Sequence, residues 1–202
     1  RNYLKNMKNV KADMLIVHGL NDWNVKPINA WHLWHDLPKN IHKKLILHQG
    51  QHIYINNFQS IDFTDLVNLW ISNKLYGVQN SADRLIPNVT VQDNVKPETW
   101  RSENNWQNGH KLIKYHFNQH QLNRQGSSKQ LQSYQDRLTP QLFNQYCHYN
   151  QHWYRDLLSD HSLMKQHRLL FKTAPVHHDV MIEGRPQINL RVKSNHNVGL
   201  IS

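Results

Sequence analysis

Two short apolar runs, Met14-Leu15-Ile16-Val17-His18 and Lys44-Leu45-Ile46-Leu47-His48, flank a stretch whose apolar residues recur every three or four positions. Such runs with one helical pattern between them predict neighbouring parallel strands and a crossover helix, because a parallel connection needs a dozen or more residues. Both strands then end on the same edge of one sheet, the edge where open parallel sheets place their chemistry. In the helix, Pro27 suits the first turn, Ile28, Trp31, Trp34 and Leu37 form the stripe that covers the sheet, and Pro38-Lys39-Asn40 ends it. Before the first strand, Leu4, Met7 and Val10 share one face of a helix end or connection.

From Phe58 the spacing is helical again, through Ile61, Leu66, Leu69, Trp70 and Leu75, with Asp62 and Asp65 near its start and Gly77 as its C-cap. After Val78 the texture changes to prolines, short β-branched runs and scattered tryptophans, which places a boundary near residue 85 and divides the chain into 1–85 and 86–202. In the second region Val89–Val91, Leu112–Phe117, Arg168–Thr173 and Pro186–Lys193 read as strands, and 118–133 reads as loop. The alternation of Ile188, Leu190 and Val192 is strict, and short alternating strands with long loops predict an antiparallel sandwich. The chain opens without Met and closes within an alternating region, so a piece of a longer polypeptide is expected.

Composition narrows this picture. Hydrophobic residues make up 38%, enough for a core, and seven Trp, eight Tyr and five Phe argue against disorder. The single cysteine, Cys147, excludes an internal disulfide, fits a reducing compartment and reads as a half-buried small hydrophobe. No run of eighteen apolar residues and no charged-then-apolar leader occurs, so no membrane partner is expected. The formal charge of +10 is spread thinly, with no cluster of four basic residues, and points to a solvated surface rather than to nucleic acid.

Asp22 and His52 each lie four residues beyond a strand end, so both can hang over the same sheet edge. There a carboxylate could hold an imidazole in one tautomer and leave its other nitrogen free as a base. The competing reading is a turn-capping Asp22 and an ordinary loop histidine. Gly50 favours the pair by allowing close approach, Asp13 precedes its strand and falls at the wrong edge, and Asp65 lies in a helix. Trp23 is either a lid or core packing. A serine hydrolase also needs a nucleophile elbow, Gly-x-Ser-x-Gly, and these 202 residues contain none. Sixteen histidines raise a metal hypothesis, carried by His32 with His35 and by His177-His178-Asp179. There is no His-Glu-x-x-His and no cysteine pair, so neither metal nor cofactor is expected.

The segment His18-Gly19-Leu20-Asn21-Asp22-Trp23-Asn24-Val25, followed by Leu47-His48-Gln49-Gly50-Gln51-His52, resembles the S15 family of α/β-hydrolase serine peptidases. More weakly, Leu169 to Ser202 resembles the opening strands of that family's C-terminal jelly roll. The resemblance implies the C-terminal portion of an α/β-hydrolase sheet followed by an incomplete all-β jelly-roll sandwich. It also implies a cytoplasmic homodimer that releases an N-terminal dipeptide from peptides whose second residue is proline. Carried over by motif, Asp22 is the triad acid and His52 the triad base. The nucleophile, the oxyanion donors and the pocket for the peptide amine have no counterpart in these residues, so the chain alone is expected to be inactive and prone to associate. Two alternatives remain, a related S15 hydrolase of acyl esters or amides and a non-catalytic carbohydrate-binding or interaction module.

Overall fold

The computed structural model describes residues 4–53, 60–106, 111–126, 131–135, 139–148, 167–184 and 186–195. The chain divides into two compact units, Arg1–Asn108 with Gly184–Ser202, and Gly109–Glu183.

In the first unit a 3₁₀ segment, Leu4–Asn9, leads to strand β1, Met14–Gly19, helix α1, Pro27–Asp36, and strand β2, Lys43–His48. Helices α2, Phe63–Tyr76, and α3, Ala82–Leu85, precede strands β3, Val89–Gln92, and β4, Trp100–Glu103. The sheet order is β1-β2-β3-β4. β1, β2 and β3 are parallel and β4 is antiparallel to β3, which makes the sheet mixed. The register sets Gly19 opposite His48, so β1 and β2 do end together.

Side-chain alternation along the strands builds two cores. Ile16, Leu45, Leu47, Val89 and Val91 pack with Trp34 and Leu37 of the α1 segment. Trp70, Ala82 and Ile86 form a second cluster with Leu15, Leu66 and Leu69. Of the predicted α1 stripe, Trp34 and Leu37 are buried, while Ile28 and Trp31 are only partly so. The helix expected from Phe58 starts at Phe63 among the described residues, where Asp62 accepts from the Asp65 amide. It ends as expected on Gly77, whose φ of 69° and whose bond from its amide to the Asn73 carbonyl make a left-handed cap. Leu75 is exposed and is not part of the packed stripe.

The strand expected at Val89–Val91 is present as β3, and it extends the first sheet by pairing with β2. Residue 85 is the last residue of α3, within the first compact unit. β4 was not foreseen, since Trp100-Arg101-Ser102-Glu103 is too polar to read as a strand.

In the second unit, β5, His116–Asn118, and β6, Gln121–Asn123, form a hairpin. The strand expected over 112–117 is therefore reduced to its last residues, and the segment expected to be loop contains β6. Gln119 and His120 make the turn with φ of 42° and 69°, left-handed values that their side chains do not announce. Of Arg168–Thr173, only Lys172 joins a ladder, bridging to Gln121. Helix α4, Pro140–His148, was not foreseen, and the Cys147 side chain lies outside the described residues. Pro186–Lys193 forms no strand among its described residues, and Ile188, Leu190 and Val192 stand exposed. Alternation makes a strand only where a partner completes the ladder.

Candidate active site

Asp22 and His52 meet at the C-terminal edge of β1 and β2. The His52 imidazole donates from Nδ1 to Asp22 Oδ2 at 2.9 Å, and because a carboxylate only accepts, the acceptor nitrogen of the neutral ring is Nε2. Asp22 is buried, whereas the His52 side chain is 61% exposed. Burial pushes the Asp22 pKa up, but the His52 hydrogen bond, the Val25 and Asn24 amides and the imidazole charge outweigh it and hold the carboxyl below its ordinary value. The two amides donate to Oδ1 at 2.8 and 2.9 Å, so the acid caps its own turn while it holds the histidine. Turn capping and the bond to His52 thus coexist in one side chain.

The two loops are laced together. Leu20 donates to the His48 carbonyl at 2.7 Å, Asn21 donates to the Gly50 carbonyl at 3.2 Å, and Asn21 Nδ2 donates to the Gln49 carbonyl at 2.7 Å. This approach explains Gly19, where a Cβ would run into the carbonyls of Gly50 and Gln51. At Gly50 a Cβ would lie 2.8 Å from both His48 Nδ1 and Ile53 Cδ1. Close approach, rather than flexibility, accounts for both glycines.

Three supporting residues have roles that the sequence does not announce. His48 is buried and accepts the Gly50 amide at Nδ1, 3.0 Å away, which fixes it as the neutral Nε2–H tautomer. Burial lowers its pKa, and neighbouring His18 adds to this against an opposing pull from Asp22. Gln92, at the end of β3, accepts the Gln49 amide at 2.8 Å, and Gln49 Nε2 returns a bond to the Gln92 carbonyl at 2.9 Å. The only available signal was polar residues at strand ends.

The other candidates fall elsewhere. Asp13 lies at the opposite edge, accepting the His42 amide and pairing with Lys74. Asp65 stands at the α2 N-terminus. Trp23 is 68% exposed beside Asp22, which removes the core-packing reading. Among the described residues no group of three or more His, Cys, Asp or Glu side chains is arranged to hold a metal ion, and no helix is long and apolar enough to cross a membrane.

Residues 1–54 match the family model for X-Pro dipeptidyl-peptidase of the S15 family, and residues 80–200 match that for the X-Pro dipeptidyl-peptidase C-terminal non-catalytic domain. Over its full length the chain is 47% identical to the Xaa-Pro dipeptidyl-peptidase of Pediococcus pentosaceus and 46% identical to that of Lactiplantibacillus plantarum, covering 26% of each. Identity to the Ligilactobacillus salivarius protein of the same name is 43%, over all of the chain and 25% of that protein. The chain thus spans about a quarter of the length of these curated relatives. A stretch of S15 peptidase domain with most of its length in the C-terminal domain places it by descent: the chain belongs to the X-Pro dipeptidyl-peptidase family, S15.

Proposed function

We propose that these residues serve a serine-type exopeptidase that releases Xaa-Pro dipeptides from peptide N-termini, with Asp22 as the acid and His52 as the base of its triad. The observation that carries the reading is the 2.9 Å bond from His52 Nδ1 to a buried carboxylate, with the His52 side chain 61% exposed. An imidazole so oriented has Nε2 free to take a proton from a hydroxyl. His52 removes the serine proton as the oxygen attacks the carbonyl after proline, Asp22 stabilises the imidazolium, and His52 then protonates the leaving amine. Water repeats the cycle on the acyl-enzyme. The serine, the oxyanion donors and the site for the peptide's free amine belong to polypeptide outside these 202 residues.

In this reading 1–85 is the C-terminal portion of an α/β-hydrolase domain. Residues 86–202 begin a jelly-roll domain, whose first strands, β3 and β4, add to the catalytic sheet. The layering of α1 and α2 with a largely parallel sheet supports the first assignment, and the antiparallel β5–β6 hairpin supports the second. A cytoplasmic homodimer is proposed from the same family.

The test is hydrolysis of Ala-Pro-p-nitroanilide by the full-length enzyme. Asp22→Asn and His52→Ala each lower kcat by about 10⁴-fold. Unchanged turnover in either variant would overturn the triad. Hydrolysis of simple acyl esters without any of the anilide would favour the acyl-hydrolase alternative.

A further inference from the structure

We propose that Gln92 is a positioning residue for His52, acting from β3 through Gln49. The inference rests on the peptidase reading above and extends it to residues matched by the domain described as non-catalytic.

His52 needs such help. Its side chain is 61% exposed, so packing does little to hold it, and its bond to Asp22 constrains one end only. The backbone that delivers it, Gln49-Gly50-Gln51, must supply the rest. Gln92 grips that backbone at its first residue. Only 2% exposed, it is bound at three atoms: Oε1 accepts the Gln49 amide at 2.8 Å, the main-chain carbonyl accepts Gln49 Nε2 at 2.9 Å, and Nε2 donates to the Pro97 carbonyl at 2.7 Å. A flipped amide would set N–H against N–H and oxygen against oxygen, so a single orientation satisfies the set.

Gln49 passes the constraint on. Its carbonyl accepts Asn21 Nδ2 at 2.7 Å, and the next carbonyl, Gly50, accepts the Asn21 amide at 3.2 Å. One residue therefore ties β3 to the turn carrying Asp22 and to the turn carrying His52. An apolar side chain of the same length would fill the volume and leave the Gln49 amide and Pro97 carbonyl unpaired, and the His loop would lose its fixed origin. Misplacing a reacting group by about 1 Å costs on the order of a hundredfold in rate.

The experiment uses the full-length enzyme with Ala-Pro-p-nitroanilide. Gln92→Met is expected to lower kcat by about 10- to 100-fold with KM held within about twofold. The downfield proton resonance of His52 Nδ1–H against Asp22 should weaken or broaden with it. Gln49→Ala, at a partly exposed position, removes the return bond to the Gln92 carbonyl without altering the buried side chain, and is expected to lower kcat in the same direction by a smaller factor. Wild-type kcat with an unchanged resonance in Gln92→Met overturns the proposal. Should that variant fail to fold, Gln49→Ala decides, and wild-type kcat there overturns it. His52→Ala keeps the two levels apart: activity surviving in His52→Ala defeats the assignment of His52 as the triad base, whereas its loss there beside intact kcat in the Gln92 and Gln49 variants defeats only the positioning role.

Discussion

At the scale of single residues, His48 ties protonation to loop geometry. Its Nδ1 accepts the Gly50 amide, which a protonated imidazole cannot do. Burial and the adjacent His18 hold its pKa below the ordinary value of 6.5. A histidine with a depressed folded pKa binds its proton more readily when unfolded, so its contribution to stability is complete above about pH 6.5 and is lost as the pH falls from there toward the folded pKa. His48→Asn places an amide oxygen where Nδ1 stood and does not titrate. Urea unfolding between pH 7.5 and 5 should therefore show a shallower pH slope in His48→Asn than in the wild type. Equal slopes would mean that His48 is not the titrating group. Asp22 acts lower on the scale, because its depressed carboxyl contributes above the usual carboxylate range and loses that contribution as pH falls through the folded pKa. Asp22 and His52 were legible in the sequence because a strand end and a fixed offset place them together. His48, Gln49 and Gln92 were not, since their roles arise from loops brought together in space and a glutamine carries no local signal of its partner.

At the scale of elements, the N-terminal edge of the sheet is held by charge. Lys74 near the end of α2 meets Asp83 of α3 at 2.7 and 2.8 Å and Asp13 before β1 at 3.1 Å. Lys44 of β2 is buried and donates to the Asp83 carbonyl and to Asn88 Oδ1. Burial raises the Asp83 pKa, yet the Lys74 bonds and the charges of His42, Lys74 and Lys44 hold the carboxyl below its ordinary range. Its contribution is thus present above about pH 4 and lost as pH falls through the folded pKa. Asp83→Ala leaves two cations with less compensation and is expected to cost about 1–3 kcal/mol at pH 7, between an exposed pair and a buried one. Chemical denaturation measures this, and a loss under about 0.5 kcal/mol would mark the cluster as screened by solvent. The sequence made β1, α1, β2 and α2 legible because each carries its own period and its own caps. It made β3 legible as a strand but not its partner, because four buried residues, Val89-Thr90-Val91-Gln92, suit either sheet, and only the partner strand decides. Pro186–Lys193 is the converse, a correct period without a ladder.

At the scale of the molecule, β1 is the revealing element. Its sequence, Met-Leu-Ile-Val-His-Gly, is the near-continuous apolar run of a strand covered on both faces. Among the described residues it pairs only with β2 and stands at the edge of the sheet. Ile188, Leu190 and Val192 add further exposed apolar surface. An unpaired apolar edge is a template for another chain, and the strands of these 202 residues supply no edge lysine or proline on β1 to block it. The 202-residue chain studied alone is therefore expected to associate as its concentration rises, despite a net charge of +10 that opposes contact between copies. Val17→Lys on that strand should shift sedimentation profiles toward monomer, whereas Ile188→Glu with Val192→Glu tests whether the second surface contributes. High salt screens the opposing charge and should promote association of the unaltered chain. A monomer at about tens of micromolar in both low and high salt would show that the β1 edge is protected in solution, and would overturn its role as a template for another chain.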